Sequence, residues 1–129
     1  MSNPLQSLAT SAAGLTAQAE RINIIAQNIA NADTPGYQRK QISFVEFMGQ
    51  DHITRVKVDD VYLSQDQVKQ IYDPKHPLSN ESGFYGGSNV NLLIEMADSR
   101  EAQRSYEANL RSYEVARQMS RSLLDLLRR

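Results

Sequence analysis

Apolar residues recur at both ends of this 129-residue chain with the spacing of amphipathic helices. In the N-terminal segment they alternate in steps of three and four, the spacing that lines one seam of a coiled coil; they are Leu5, Leu8, Ala12, Leu15, Ala19, Ile22, Ala26 and Ile29. A broader stripe occupies the C-terminal segment and consists of Leu92, Leu93, Met96, Ala102, Tyr106, Leu110, Tyr113, Ala116, Leu123, Leu124 and Leu127. We therefore expect two long helices that fold back on each other as an antiparallel coiled coil.

Local signals set the expected boundaries of these helices. Asn3, Pro4 and Gln6 form a helix start, because they supply a side-chain cap, a proline at the first position and a capping-box partner. Pro35 and Gly36 cannot continue a helix, so the first helix should end near residue 32. Ser88-Asn89 is the expected cap of the last helix. The chain then divides into an N-terminal helix (1–32), a turn (33–40), a middle lobe (41–87) and a C-terminal helix (88–129).

The N-terminal helix has almost no charge on any face. Glu20 and Arg21 are the only charged side chains among residues 1–32, whereas a solvent-facing helix normally carries charges along its outer face. This predicts that more than one face is covered, by other subunits as well as by the C-terminal helix. The residues expected to pack between subunits are Leu5, Leu8, Leu15, Ile22, Ile29, Tyr106, Leu110, Tyr113, Leu124 and Leu127.

An ordinary core helix of a monomeric protein is the alternative explanation for this uncharged surface. A helix of this length is about 40 Å long, at 1.5 Å per residue. A 129-residue chain contains little other mass with which to bury such a rod on several sides. The sequence therefore favours packing between subunits but leaves the monomeric alternative open.

The middle lobe alternates apolar and polar residues over short stretches, as β-strands do. Residues 41–44 begin one such run, and residues 54–58 begin a second that changes phase at Asp59-Asp60 before Val61 and Leu63, as at a β-bulge. Residues 68–72 are a third candidate strand, and the glycines and prolines that follow predict turns. The predicted fold class is therefore mainly α, with a small β-rich insertion of short strands and loops.

Composition restricts the possible partners. The formal net charge is −1, from 14 basic and 15 acidic residues, so the chain lacks the basic field that gathers nucleic acid or anionic membranes. It contains no cysteine, its N-terminus lacks the pattern of a secretory signal, and no stretch approaches the ~20 apolar residues of a membrane span. These rules alone predict a soluble cytosolic protein with no nucleic-acid partner and no direct membrane insertion.

No arrangement of residues typical of a catalytic or cofactor site is evident. His52 and His76 have no partner at metal-ligand spacing, and Gly86-Gly87 lacks the lysine of a phosphate-binding loop. Asp59 and Asp60 are adjacent in a predicted strand, where successive side chains point to opposite faces, which argues against a shared acid–base site with Asp51. We expect no enzymatic activity, no metal and no cofactor.

One segment resembles a family signature. Residues 30–37 read Ala-Asn-Ala-Asp-Thr-Pro-Gly-Tyr and match in full the ANxxTPGY signature of the flagellar rod and hook family, directly after the predicted helix. The residues assigned to this signature turn are Asn28, Asn31, Thr34, Pro35, Gly36 and Tyr37. Further similar stretches are the Tyr-Asp-Pro of residues 72–74 and the Arg-Ser-Tyr-Glu-Ala-Asn of residues 104–109. The chain departs from the family at Phe84-Tyr85 and Arg128-Arg129.

The resemblance implies a structural subunit of the bacterial flagellar basal-body rod, in its proximal part, with terminal helices that line a torque-transmitting tube around the export channel. It also implies partners: copies of the chain, other rod proteins, the membrane-embedded ring at the rod base, and the flagellar type III export apparatus. Export by this route needs no cleaved signal peptide and ends in the periplasmic space, which replaces the cytosolic prediction. A cytosolic coiled-coil adaptor and a small hydrolase remain as alternatives.

Overall fold

The computed structural model describes residues 3–129. Along the chain, two long helices flank four strands. The order is α1 (Pro4–Ala30), β1 (Lys40–Met48), β2 (Thr54–Leu63), β3 (Gln70–Tyr72), β4 (Phe84–Gly86) and α2 (Leu92–Leu127). The strands form two separate antiparallel pairs, β1 with β2 and β3 with β4. The predicted combination of two terminal helices with a small strand region between them is confirmed.

The start of α1 is the predicted one. The Asn3 side chain accepts a hydrogen bond from the Leu5 amide at 3.0 Å, and the Asn3 amide donates to the Gln6 side chain at 3.5 Å, which completes the capping box. The helix ends at Ala30, slightly before the predicted end near residue 32. Asn31 is the C-terminal cap: its amide makes the last helical hydrogen bond to the Gln27 carbonyl oxygen, and its side chain donates to the same oxygen.

The predicted cap of α2 is wrong. The helix begins at Leu92, and its cap is Asn91, whose side chain accepts from the Leu93 amide at 3.0 Å. Ser88 instead donates its hydroxyl to the Ala32 carbonyl oxygen, and the Asn89 side chain donates to the carbonyl oxygens of Ser64 and Asp66. Tertiary contacts therefore use the two side chains that local sequence assigned to the helix start.

The two helices run antiparallel. Asn28 near the end of α1 contacts Glu95 near the start of α2. One turn or more away on each helix, Arg21 Nη2 lies 3.6 Å from Glu101 Oε2. Farther along, Gly14 lies directly against the side chain of Asn109. The start of α1 therefore lies beside residues near 119, so the last two turns of α2 extend past it. We call this segment, residues 121–127, the overhang.

The faces that meet within the chain coincide only in part with the predicted apolar seams. The buried residues of the two helices are mostly small or polar, namely Ser11, Gly14, Ala17, Ile25, Asn28, Glu95, Ala102 and Ala116. Many large residues of the predicted seams are exposed instead: Leu5, Ile29, Leu92, Leu93, Met96, Leu110, Leu123, Leu124 and Leu127. Ala102 and Ala116 of the predicted C-terminal seam are buried, but coiled-coil packing of the two seams on each other is not confirmed. Small side chains let the two backbones approach closely, and this close contact determines the buried faces.

The strand region matches the sequence in part. In the β1–β2 hairpin, Ser43 pairs with Asp60 and Phe44 with Val58, which leaves Asp59 as the extra residue of the predicted bulge. The hairpin lies along α1, and Thr10 donates its hydroxyl to the Thr54 carbonyl oxygen at 3.2 Å. The candidate strand at 68–72 is shorter than predicted, and its partner β4 lies where only turns were expected.

Candidate functional site

Asn28 occupies the centre of a buried polar cluster. Its side-chain nitrogen donates to the Lys40 carbonyl oxygen at 2.9 Å and to Glu95 Oε2 at 3.3 Å. Its side-chain oxygen accepts from the Lys40 amide and the Tyr37 hydroxyl, each at 2.9 Å. An amide side chain has two N–H donors and two acceptor sites, so every one of them is used. This one residue therefore joins α1, the start of β1 and α2.

Arg39 and Glu95 form the charged part of the cluster. Glu95 is fully buried, and its second oxygen accepts a hydrogen bond from Arg39 Nε. The same guanidinium donates to Asp98 Oδ2 at 3.0 Å. A buried carboxylate is costly without a cation, and the planar guanidinium supplies both the charge and the hydrogen bonds. We call Asn28, Tyr37, Arg39, Glu95 and Asp98 the polar hub.

The polar hub also affects Tyr37. Partial burial of the phenol raises the pKa of Tyr37 above its ordinary value, and the negative charge of Glu95 raises it further. The hydroxyl is therefore protonated at neutral pH and remains a hydrogen-bond donor to Asn28.

The signature turn closes onto the end of the strand region. Thr34 donates its hydroxyl to Asn31 Oδ1 at 3.1 Å, and the Gly36 amide donates to the carbonyl oxygens of Gly86 and Gly87 at 3.2 and 3.1 Å. Gly36 has a φ of +73°, and a Cβ placed there would meet no atom within 4 Å. Glycine is therefore required by the backbone angle and not by lack of space. Pro35 lies exposed at the outer side of the turn.

The structure brings several predicted signature residues together with residues that the sequence reasoning missed. Asn28 and Tyr37 lie in the polar hub, whereas Arg39, Glu95 and Asp98 were not singled out. Glu95 had one visible signal, because it is a lone carboxylate within the apolar run from Leu92 to Met96. Arg39 had none, since its partner Glu95 lies 56 positions away in the chain.

The predicted packing residues lie along a side of the helix pair that the strands do not cover. Of these ten, five are exposed and five half-buried: Leu5, Ile29, Leu110, Leu124 and Leu127 are exposed, and Leu8, Leu15, Ile22, Tyr106 and Tyr113 are half-buried. On α1, Leu15, Ile22 and Ile29 follow by one position three members of the buried or half-buried line Ser11, Gly14, Gln18, Arg21, Ile25 and Asn28. On α2, Tyr106 and Leu110 follow two members of the line Glu95, Asp98, Ala102, Ser105, Asn109 and Ala116 by one position, whereas Tyr113, Leu124 and Leu127 do not. We call these two rows the apolar stripes.

Both apolar stripes face the same side of the helix pair. Successive residues of an α-helix lie about 100° apart around the helix axis. Each stripe is therefore displaced by about that angle, in the same sense, from the face of its helix that contacts the other helix. Because the helices run in opposite directions, the two rotations bring the stripes to one common side. The β1–β2 hairpin lies on the other side, where Ala13, Ala17 and Glu20 of α1 line a shallow groove with Phe47 and Val56. The helix pair therefore presents an apolar face directed away from the hairpin.

The candidate catalytic residues are not assembled into a site. His76 stacks on the Tyr85 ring at a centroid distance of 3.9 Å, and His52 lies in the β1–β2 turn with a φ of +60°. Asp51 pairs with Arg55, whereas Asp59 lies at the bulge. Within residues 3–129, no group of histidine, aspartate and glutamate side chains is arranged to hold a metal ion. Neither described helix is both long enough and apolar enough to cross a bilayer.

Known families match both terminal parts of the chain. The family described as "Flagella basal body rod protein" matches residues 8–38, which contain most of α1 and the signature turn. The family described as "Flagellar basal body rod FlgEFG protein C-terminal" matches residues 81–126, which contain β4 and nearly all of α2.

Full-length relatives agree with these matches. The flagellar basal-body rod protein FlgC of Agrobacterium fabrum is 42% identical over 125 residues, covering 89% of this chain and 88% of its own length. FlgC of Escherichia coli O6:H1 is 36% identical, covering 87% and 89%. FlgC of Borreliella burgdorferi is 34% identical, covering 94% and 95%. At these identities and coverages, the chain belongs to the FlgC family of flagellar basal-body rod proteins.

Proposed function

We propose that this chain, a structural subunit of the flagellar basal-body rod, polymerises through its apolar stripes with copies of itself and with other rod proteins. The observation that carries this proposal is the uncovered position of the stripes in the single chain. Leu5, Ile29 and Leu110 are exposed on a face whose α1 half carries no charge. Exposed apolar area of this kind is typical of a surface that another protein covers. Heptad spacing on both stripes favours coiled-coil packing with neighbouring helices.

The polar hub suits a drive shaft that transmits torque. Asn28 and Arg39 join both helices to the first residue of β1, so the strand region cannot rotate freely about the helix pair. In our proposal the segments 1–32 and 88–129 form the wall of a tube around the export channel. The turn 33–40 fixes the direction in which the lobe 41–87 leaves that wall. Twisting forces then pass from subunit to subunit through the stripes and within each subunit through the hub.

As a proximal rod subunit, the chain would leave the cytoplasm through the flagellar type III export apparatus without a cleaved signal peptide. It would assemble in the periplasmic space and contact the membrane-embedded ring at the rod base. Its role would be mechanical, without catalysis or a cofactor. The cytosolic adaptor has no support from the family membership.

Charged residues on an apolar stripe provide the test. Ala19 and Ala26 are exposed stripe residues of α1, so Ala19→Glu and Ala26→Glu should leave the fold of the single chain intact. Burial of an unpaired carboxylate between subunits is costly, and we expect loss of swimming in a flagellated host that carries the variant in place of its own rod subunit. Gln67→Glu adds the same charge on an exposed loop and is the matched control.

Two measurements make the result interpretable. Circular dichroism of the purified variants should show unchanged helix content, and purified basal bodies should contain the Gln67→Glu chain but not the stripe variants. Normal swimming and incorporation of both stripe variants would contradict the proposed interface. Absence of the unaltered chain from basal bodies would contradict the proposed function itself.

A further inference from the structure

One peptide bond of the strand region differs chemically from all others in the chain. The prolines follow asparagine, threonine, aspartate and histidine, so Asp73–Pro74 is the single aspartyl-prolyl bond of the sequence. Such a bond places a carboxyl group next to a tertiary amide, whose nitrogen carries no hydrogen and leaves more readily as an amine than that of an ordinary peptide. It is therefore the peptide bond of this chain most open to attack by its own side chain.

The turn that follows β3, residues 73–79, holds the Asp73 carboxyl group beside this bond. Asp73 Oδ1 accepts a hydrogen bond from the Lys75 amide at 3.2 Å, which folds the side chain over the Asp73–Pro74 peptide. Among residues 3–129, Asp73 forms no ion pair. Asp73 and Pro74 are both exposed, so water reaches the bond. The carboxyl group is thus close to the peptide and not held by a cation.

The carbonyl oxygen of Asp73 accepts two hydrogen bonds within the same turn. The His76 amide donates to it at 3.0 Å, and the Ser79 hydroxyl is the second donor. Donors directed at a carbonyl oxygen stabilise the negative charge that develops on that oxygen when the carbon is attacked. The Asp73 amide donates to the Gly83 carbonyl oxygen at 2.9 Å, which fixes the other side of the residue. The turn therefore has the arrangement that favours attack at the Asp73 carbonyl carbon.

We propose that the chain cleaves its own backbone between Asp73 and Pro74, and that the turn 73–79 promotes the reaction. A carboxyl oxygen of Asp73 attacks the Asp73 carbonyl carbon, an intramolecular step. The bond to the Pro74 nitrogen breaks, and that nitrogen leaves as a secondary amine with the proton that the carboxyl group has lost. The other product is a five-membered cyclic anhydride, which one water molecule opens to two carboxyl groups. The overall reaction is a hydrolysis in which no group is oxidised or reduced.

The histidine of the turn does not transfer this proton. His76 Nδ1 accepts a hydrogen bond from the Leu78 amide at 3.1 Å, and the imidazole ring stacks on the Tyr85 ring. Lys75, the other basic side chain of the turn, is exposed. The proton therefore passes from the Asp73 carboxyl group to the leaving nitrogen through solvent, which makes the reaction faster in mild acid.

The fold keeps the two products together. Residues on either side of the cleaved bond pair in the β3–β4 ladder, where Tyr72 lies opposite Phe84. The two helices end up on different fragments but remain joined by the polar hub. We therefore expect fragments 1–73 and 74–129 to stay associated under native conditions, so that cleavage opens the lobe without releasing either helix.

Incubation of the purified full chain in mildly acidic buffer, at a pH at which circular dichroism shows the fold intact, tests the proposal. Mass spectrometry after denaturation should find fragments 1–73 and 74–129, which co-elute in size-exclusion chromatography before denaturation. Cleavage should be about threefold or more faster than in the same buffer with urea, because urea removes the hydrogen bonds to the Asp73 carbonyl oxygen. No cleavage at this bond, or equal rates with and without urea, would overturn the proposal.

Three variants identify the groups that act. Asp73→Glu keeps the charge but lengthens the side chain, so the five-membered ring cannot form and cleavage should stop. Ser79→Ala removes one donor to the carbonyl oxygen and should slow cleavage by about threefold or more. Ser43→Ala removes a hydroxyl that donates to the Asp60 carbonyl oxygen and is the matched control, with an unchanged rate. Continued cleavage in Asp73→Glu would refute attack by the side chain, and equal rates in the two serine variants would refute the role of the turn.

Discussion

The two ends of the helix pair are built in opposite ways. At the hub end, a buried asparagine uses all its hydrogen-bonding groups and a buried carboxylate is paired with arginine. At the far end, the helices meet through small residues such as Ser11 and Ala116, and the leucines of the overhang are exposed. Polar interactions therefore fix the shape of the single subunit, whereas most large apolar residues remain available to neighbours. In a monomeric protein we would expect the large apolar residues to be buried within the chain and the polar residues to face solvent.

The largest expected effect comes from breaking the hub. Arg39→Met keeps most of the side-chain length but leaves Glu95 buried without its cation, so the free energy of unfolding should fall by about 3–5 kcal/mol. Urea denaturation of the purified chain measures this loss. Arg100→Met, an exposed change on α2, is the control and should alter stability by less than about 0.5 kcal/mol.

A double variant separates charge from packing at the hub. In Arg39→Met/Glu95→Met the buried charge is removed together with its partner, so much of the lost stability should return. A double variant as unstable as the two single changes added together would show that the Arg39–Glu95 ion pair is not the source of the effect.

The close approach of the helices midway between the two ends gives the next largest effect. A Cβ at Gly14 would lie 2.6 Å from Asn109 Oδ1, so Gly14→Leu must displace that side chain or separate the helices. We expect a loss of about 1–3 kcal/mol in unfolding free energy, measured by thermal denaturation. Asn109→Ala in the same chain should restore part of the lost unfolding free energy. If it restores none, the loss in Gly14→Leu does not arise from the contact with Asn109.

The turn that leads away from the hub is sensitive to backbone angle alone. Gly36→Val forces a β-branched residue to a φ of +73°, which should cost about 1–2 kcal/mol. Gly36→Asn should cost less, because asparagine tolerates this left-handed region. In a swimming assay we expect Gly36→Val to block rod assembly and Gly36→Asn to retain it. Equal behaviour of the two variants would argue against a backbone requirement.

At the far end, substitutions should barely affect the isolated subunit. Leu124→Gln in the overhang removes an exposed apolar side chain, so the unfolding free energy should change by less than about 0.5 kcal/mol. Chemical denaturation measures this directly. A loss as large as that at Arg39 would mean that Leu124 is covered within the single chain, and the contrast between the two ends would disappear.

The smallest effect concerns an exposed ion pair at the hairpin tip, near the start of α1. Hydrogen bonds from the Arg55 side chain lower the pKa of Asp51 from 3.8 to about 2. Because the folded-state pKa is below the unfolded value, the pair contributes above pH 3.8 and its contribution is lost as the pH falls through about 2. An NMR titration of the Asp51 carboxyl carbon should show this midpoint, and Arg55→Gln should raise it. An unchanged midpoint in that variant would exclude Arg55 as the cause.

Local features were predictable because their causes lie within a few residues. The capping box at Asn3 and the bulge at Asp59 follow from short patterns of donors, acceptors and phase. The cap of α2 was misassigned because it was predicted from neighbouring residues alone. Ser88 and Asn89 are good local caps, but distant carbonyl oxygens at Ala32 and Ser64 bind their side chains instead. Strand β4 was missed because its three residues, Phe84 to Gly86, are too few to show an alternating pattern.

By itself, the sequence determined the two terminal helices, the signature turn and the family, since helical spacing and a contiguous signature are readable without coordinates. Only the tertiary structure decided which helix faces meet, because α1 has apolar or small residues on several faces and periodicity cannot rank them. The helices meet through small and polar residues. Gly14 packs closely against Asn109, and Arg39 forms an ion pair with Glu95. This contact depends on residues far apart in the chain, and it leaves the apolar stripes uncovered.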